Sequence, residues 1–308
     1  MSILEAILFG AVQGVAEFLP ISSSGHLALL KGLFELQEVP LLFDVLLHVA
    51  TLLVVVVVFR HRLAHLVVSF GRWVVRRSDE RDRDNLRLIL MLLGATVVTG
   101  VLGIFLESLL DFGAPRFVSL LFLVTAGILL ASRNRGGERT FLTITWKDAL
   151  LVGFAQGFGV LPGISRAGIT IAAGLFSGLD RRHAGEFSFL LSIPAILGAL
   201  VLTLRDAAAL GSGVGTAPVV AGFAVAAAVG LFSLVLLLRL VQSGKLHYFA
   251  AYLIPLCVFG LIYFIYLSYL AFPAAPPPPP AIRPPPAYRA PPPHPPLPPP
   301  PPPPLPLP

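Results

Sequence analysis

Two stretches of the chain hold side chains that could do chemistry. Gln13 to His26 reads Q-G-V-A-E-F-L-P-I-S-S-S-G-H, and Gln156 to Thr170 reads Q-G-F-G-V-L-P-G-I-S-R-A-G-I-T. Pro20 and Pro162 stand 142 residues apart, as do Ser23 and Ser165. The glutamines align only with a one-residue gap, because the first copy carries an extra position around Glu17. Each copy opens in an apolar, small-residue run, breaks at Leu-Pro and then presents polar groups and glycine. A carboxylate, an imidazole and a guanidinium in such apolar surroundings persist only when paired, hydrated or in use. The two stretches read as halves of one active site.

Arg166 is the sharpest feature. A guanidinium stays charged and matches phosphate oxygens in a fork, so it suits a buried oxyanion. Gly163, Ser165, Gly168 and Thr170 flank it with hydroxyls and close backbone approach at a helix start, where anions bind readily. The competing view is an arginine snorkelling to the membrane surface, as expected for Arg60 and Arg205. His26 can act as acid, base or nucleophile near neutral pH, or merely as a hydrogen-bonded cap. Ser22, Ser23 and Ser24 could bind phosphate, attack it, or cap the following half-helix; Ser23 is favoured for chemistry because Ser165 matches it.

Glu17 lies four residues after Gln13, so both project from one helix face. A carboxylate beside a phosphate site can hold a divalent cation, orient His26, or simply pair with Arg166. Asp44 and His48 also share a face, and a polar seam between helices explains them as well as a role at the site. His61, His65, His183, His247 and His294 read as solvated. Tyr263, Tyr266, Tyr269 and Phe272 read as an interfacial aromatic belt.

The elements that must position these groups are membrane helices. Of 308 residues, 56% are hydrophobic and 12% charged, and the mean hydropathy is +0.85. A soluble domain carries roughly 25% charge. Several runs approach the ~20 apolar residues needed to cross a bilayer, and they are continuous rather than alternating, which excludes a β-barrel. The net charge of +6 sits mostly in loops, so it reports topology and not nucleic-acid binding. The single cysteine, Cys257, excludes a disulfide framework and a cysteine metal site. No cleavable signal peptide is expected, since the first apolar run lacks a basic start and carries Glu5 and Glu17.

The expected fold is all-α and polytopic. Full spans are expected over 41–59, 86–106, 116–132, 184–205, 217–238 and 248–271. Residues 3–19 with 26–36, and 148–161 with 167–178, form two short-break-short units. A basic loop is expected over 60–87, with eight arginines and four acidic residues. Placing the basic loops 60–87, 133–147, 179–183 and 239–247 in the cytoplasm puts 107–115 and 206–216 outside. Six spans satisfy this only if both broken units are re-entrant, one entering from each side. That is an inverted repeat (about 1–132 and 147–272) whose broken elements meet near the midplane. Residues 273–308, with 23 prolines, read as a disordered or polyproline II tail outside the membrane domain 1–272.

At these residues the chain closely resembles the undecaprenyl-diphosphate phosphatase, or bacitracin-resistance protein, family. Gln13 and Glu17, the Ser-Ser-x-Gly-His element at Ser22 to His26, and the P-G-x-S-R-S-x-x-T motif at Pro162, Gly163, Ser165, Arg166 and Thr170 carry the likeness. The motif's second serine is Ala167 here. The run R-R-H-A-G-E-F-S-F-L-L-S-I-P at 181–194 is also similar to the family. The resemblance implies hydrolysis of undecaprenyl diphosphate in the bacterial inner membrane, aided by Mg²⁺ or Ca²⁺. The reaction would recycle the lipid carrier of cell-wall synthesis; the outward entry of the first broken unit predicts a site open to the periplasmic side. Carried onto this sequence, the resemblance implies Glu17, His26 and Arg166 as the catalytic core with Ser23, Ser165 and Thr170 around the diphosphate; with Ser23 added on its match to Ser165, the candidate catalytic set is Glu17, Ser23, His26 and Arg166. Gln13, Ser22, Ser24, Gly163, Ser165, Gly168 and Thr170 would surround the substrate, and Glu17 would hold the metal. Expected partners are that substrate and membrane lipids, with a homodimer admitted and no nucleic acid.

Two rival readings compete with this one, and the second fails on sequence. A polyprenyl-phosphate transporter could use the same inverted repeat. A type-2 phosphatidic acid phosphatase would need a histidine six positions after Arg166, where Ala172 stands.

Overall fold

The computed structural model of the chain describes residues 1–33, 41–109, 114–210 and 215–271. The chain divides into two compact units, Met1–Ser268 and Tyr269–Pro308. The proline-rich tail, Phe272, His294, Asp111 and parts of the expected loops 107–115 and 206–216 lie outside the described residues, as does the end of the 26–36 run. The described elements are helical: α1 (Ile3–Phe18), α2 (Ser23–Leu33), α3 (Leu41–Val58), α4 (Arg60–Val74), α5 (Glu80–Leu109), α6 (Pro115–Ala131), α7 (Trp146–Phe158), α8 (Arg166–Phe176), α9 (Arg181–Leu210), α10 (Thr216–Gln242), a 3₁₀ turn Leu246–Phe249 and α11 (Ala250–Ala271).

All six expected spans fall on helices. Four stretches are long and apolar enough to cross a bilayer unaided: Asp82–Leu109, Arg181–Val201, Thr216–Gln242 and Leu246–Leu267. α3 qualifies only together with α4, from which it is bent by 78°. α6 has 17 residues, about 25 Å of helix against a hydrocarbon core of about 30 Å. The chain is a polytopic helical membrane protein.

One expectation is corrected. The basic stretch 60–87 is not a loop: α4 and the start of α5 occupy most of it. Its charge density reads as loop, yet arginine is a good helix former, and Leu66 and Ser69 recur three residues apart as the buried side of α4. Ser69 donates to Asp82 Oδ1 at 2.7 Å and accepts from Asn85 Nδ2 at 2.9 Å, which ties α4 to α5.

The two broken units are built alike. α1 opens with a capping box between Ser2 and Glu5, and α7 opens with one between Thr145 and Asp148. Each then presents glycines four residues apart, Gly10 and Gly14 or Gly153 and Gly157. Small residues let helix backbones approach closely inside a membrane. A Cβ on Gly14 would lie 2.7 Å from the Ala226 carbonyl of α10, and one on Gly153 would lie 2.7 Å from Ala95 Cα of α5. Thus α1 packs chiefly on α10, and α7 on α5: each half supplies the long helix that cradles the other half's broken unit. The main core runs between them through residues such as Phe18, Met91, Phe122, Ile171, Phe187 and Leu234.

Candidate active site

α1 ends at the break because Pro20 has no N–H to continue the ladder. The chain turns at Ser22, whose φ of +71° is costly for a residue with a side chain. The opposing break turns at Gly163, φ +103°. The two turns fix each other: Gly163 N–H donates to Ser22 Oγ at 3.0 Å, and Gly25 N–H donates to the same oxygen at 3.3 Å. A Cβ on Gly25 would lie 2.9 Å from Gly163 N, so Gly25 needs its glycine for this approach, while Gly163 needs its own for the positive φ and for the Val118 carbonyl behind it. The breaks of the two halves therefore touch, as a single site requires.

That contact brings the chemistry together. Arg166, at the start of α8, donates through Nη2 to Glu17 Oε1 on α1. Ser23 Oγ donates to Glu17 Oε2 at 2.6 Å, and Gln13 Nε2 donates to it at 3.2 Å. His48 Nε2 stands 3.9 Å from the same oxygen. The Glu17 side chain is only 6% exposed, against 19% for Arg166. A carboxylate held at this depth persists because a guanidinium and two hydrogen-bond donors surround it. Arg166 Nη1 is buried and, among the described residues, has no hydrogen-bond partner; the same holds for Gln13 Oε1. Buried donors and acceptors left unmade are costly, so a water or a polar ligand atom would be favoured at either.

His26 belongs to a second cluster. Its Nδ1 lies 2.8 Å from the Ser22 carbonyl, and its Nε2 lies 2.8 Å from the Tyr252 hydroxyl. A carbonyl only accepts, so Nδ1 carries the proton and, in the neutral ring, Nε2 accepts from Tyr252. Tyr252 stacks on the imidazole at 5.7 Å, and Phe122 meets it edge-on at 5.2 Å. His26 thus reaches the Glu17 cluster through the Ser22 turn, with no direct bond to Glu17 or Arg166.

The remaining candidates take architectural positions. Ser165 is the N-cap of α8, its Oγ accepting from Gly168 N–H at 3.1 Å, while its own N–H donates to Thr125 at 3.1 Å. Thr125 also donates to the Gly163 carbonyl at 2.8 Å. Thr170 donates to the Arg166 carbonyl at 2.7 Å and meets Ser188 at 2.5 Å. Ser24 Oγ lies 3.4 Å from Ser22 Oγ. Ala167 is buried, so its methyl packs where the family motif has a hydroxyl.

His48, Tyr252, Thr125 and Ser188 are the members that motif reading does not single out. Ser188 lies in the family-like run 181–194 without standing out in it, and His48 is signalled by its placement one turn after Asp44; its Nδ1 bonds the Asp44 carbonyl at 2.9 Å, not the carboxylate. His183, expected as solvated, is instead half-buried: its Nδ1 lies 2.7 Å from Asp180 Oδ2, and it meets Phe141 edge-on. The reason is that the 133–147 connection folds back onto the start of α9, where Arg139 bridges to Leu179.

Fold and site together define a polytopic membrane protein with a buried carboxylate–guanidinium–hydroxyl centre assembled from two broken elements. A sequence profile described as "Bacitracin resistance protein BacA" matches residues 6–259. The chain is 49% identical over 264 residues to an undecaprenyl-diphosphatase of Treponema denticola, covering 86% of this chain and 98% of that protein. Those of Desulfosudis oleivorans (43% over 262 residues, 82% and 95% covered) and Borrelia recurrentis (39% over 266, 86% and 99%) are also similar. The chain belongs to the bacitracin resistance protein BacA family.

Proposed function

We propose that the protein hydrolyses undecaprenyl diphosphate to undecaprenyl phosphate and inorganic phosphate. It would act in the bacterial inner membrane with its site open to the periplasmic side, recycling the lipid carrier for cell-wall synthesis and conferring bacitracin resistance. One observation carries this reading: the buried Glu17–Arg166 pair joins the two breaks and holds the Ser23 hydroxyl 2.6 Å from the carboxylate. That is a nucleophile with its base, beside a cation suited to phosphate.

The residues act as follows. The incoming diphosphate competes with Glu17 for Arg166, whose Nη1 donor is unengaged. Glu17, relieved of its counter-charge, accepts the Ser23 proton. Ser23 Oγ bonds to the terminal phosphorus, and the bond from that phosphorus to the bridging oxygen breaks. The bridging oxygen departs on undecaprenyl phosphate. Water then cleaves the seryl phosphate, releasing inorganic phosphate, and Glu17 returns its proton to Ser23. A proton from the attacking water would reach His26 only by relay, the Tyr252 hydroxyl taking it while passing its own proton to His26 Nε2.

The residues also fit a divalent cation. Glu17, the unpartnered Gln13 Oε1 and Ser23 Oγ form an all-oxygen donor set, which suits Mg²⁺ or Ca²⁺. Among the described residues no group of three or more His, Cys, Asp or Glu stands together as a metal cage, so substrate oxygens and water would complete the shell. Such a cation would neutralise charge on the diphosphate and polarise its P–O bond. The test is phosphate release from undecaprenyl diphosphate by the purified full chain in detergent, with divalent cation and with chelator. Release that requires the cation supports the reading. Absence of release from folded protein overturns it in favour of lipid transport.

A further inference from the structure

The Arg-rich face holds a cavity, apolar over much of its wall but ringed by charged side chains, that the hydrolytic site does not use. It measures about 540 Å³, and its charged lining is His61, Arg62 and His65 of α4 with Arg182, His183 and Glu186 of α9. A neighbouring cavity of about 430 Å³ shares Arg182 and adds Arg135 and Arg181. None of these residues belongs to the Glu17–Arg166 cluster. Carboxylates there are already engaged: Glu186 lies 3.2 Å from Arg62 Nε, and Asp180 is bonded to His183. Arg62 is held in place over the Phe141 ring at 4.9 Å. Arginine therefore exceeds acid around the two spaces, four guanidiniums against two carboxylates.

The position of α4 says what sort of anion this is. The 78° bend after α3 turns α4 away from the span direction. α4 exposes Val67, Val68, Phe70, Trp73 and Val74 while its first turn carries Arg60, His61 and Arg62. An amphipathic, basic helix with exposed tryptophan lies in the membrane interface. The cavity at its start is then at headgroup depth, on the face that the positive-inside rule gives to the cytoplasm. We propose that this cavity binds the phosphate headgroup of an anionic phospholipid of the cytoplasmic leaflet, gripped by Arg62 and Arg182. The leaflet assignment rests on the orientation given under Proposed function; the cavity and its charge do not.

The experiment is native mass spectrometry of the full chain with phosphatidylglycerol or phosphatidylcholine, read beside phosphate release by the same preparations. Wild type should retain phosphatidylglycerol preferentially, and Arg62→Gln/Arg182→Gln should lower that retention about tenfold or more, since each charge-assisted guanidinium–phosphate contact supports about a factor of ten. Arg166→Ala should retain phosphatidylglycerol as wild type does, which separates this cavity from the hydrolytic site. Should the double variant unfold, Arg182→Glu, on an exposed side chain, must produce the same loss. Equal retention by wild type and either variant overturns the proposal. Displacement of the lipid by millimolar inorganic phosphate also overturns it, making the cavity a soluble-anion site. Absence of phosphate release by the wild type, with its lipid retention intact, would instead fault the hydrolytic reading alone.

Discussion

The catalytic role proposed for the Glu17–Arg166 pair can be separated from its structural one. Arg166→Ala leaves a carboxylate that is 6% exposed with only the Ser23 and Gln13 donors. Removing one partner of a buried pair costs about 3–5 kcal/mol, and the two surviving hydrogen bonds favour the lower end. A loss of ~3 kcal/mol corresponds to roughly a 5 °C fall in Tm for a chain of this size. Turnover should fall further, by about 10³ or more, because the cation that meets developing phosphate charge is gone. Glu17→Gln combined with Arg166→Met removes both charges at once. Neutral replacement of a buried pair is often close to neutral in stability, so this variant should recover most of the lost Tm while remaining inactive. The measurements are thermal unfolding in detergent and phosphate release from undecaprenyl diphosphate. Two results would refute the reasoning. Turnover above about a tenth of wild type in Arg166→Ala would remove Arg166 from the chemistry, since the expected loss is at least ~10³. A double variant no more stable than Arg166→Ala would show that the unpaired Glu17 charge was not what destabilised it.

Other outcomes are expected from the same geometry. Gly163→Ala must place a Cβ against the Val118 carbonyl at φ +103°, and should lower stability by about 2 kcal/mol or more; Gly71→Ala, with nothing within 4 Å, should instead gain about 0.5–1 kcal/mol. Equal unfolding temperatures for the two variants would contradict the tight packing of the Gly163 turn against α6. A thiol at Ser24, in a Cys257→Ala background, should react with a membrane-impermeant maleimide from the periplasmic side; reaction only from the cytoplasmic side reverses the orientation. Glu17→Gln should abolish the stimulation by Mg²⁺ or Ca²⁺ of any residual phosphate release, and an unchanged cation response would remove Glu17 as a ligand. Burial opposes ionisation of Asp180, but the His183 amide and ring and the Arg182 amide outweigh it and hold its carboxyl below the ordinary range. Its contribution is therefore present above the unfolded value of about 3.9 and is lost as pH falls through the lower folded value. The Tm gap between wild type and Asp180→Asn should be steady above about pH 5 and close below about pH 4; a gap that widens in acid would show the opposite sign.

How far the sequence reveals this fold depends on whether the signal is local. The Leu-Pro breaks at Pro20 and Pro162, the capping residues and the apolar runs are local, and the helix-break-helix units follow from them. α4 is hidden because its arginines and histidines resemble a loop, and what makes it helical is the burial of Leu66 and Ser69 by a tertiary partner. The pairing of Glu17 with Arg166 was open to view as one of several options, since two opposite charges in an apolar chain must meet something. Tyr252 and Thr125 carry no comparable signal. A tyrosine or threonine in a span is ordinary, and only the folded chain brings Tyr252 against His26 or Thr125 against the Gly163 turn.

The two halves show how one backbone device came to hold different chemistry. Ser2 and Thr145, Glu5 and Asp148, Gly10 and Gly153, and Gln13 and Gln156 all stand 143 residues apart, whereas beyond the break the interval is 142. Up to the glutamines the halves behave alike. Gln13 and Gln156 are both buried, and both leave their Oε1 without a partner among the described residues. Their Nε2 groups then diverge: Gln13 donates to Glu17, and Gln156 to Thr99 of α5 at 3.2 Å. The extra residue of the first copy falls between its glutamine and its proline, the stretch that contains Glu17. One half thus gains a carboxylate beside its serine, and the other keeps a neutral hydroxyl contact and carries Arg166. Because each broken unit is cradled by a long helix of the opposite half, neither half can bring its own charge to the centre alone. The acid and the cation meet only when both units are seated, so the fold itself makes assembly of the site depend on the complete repeat pair.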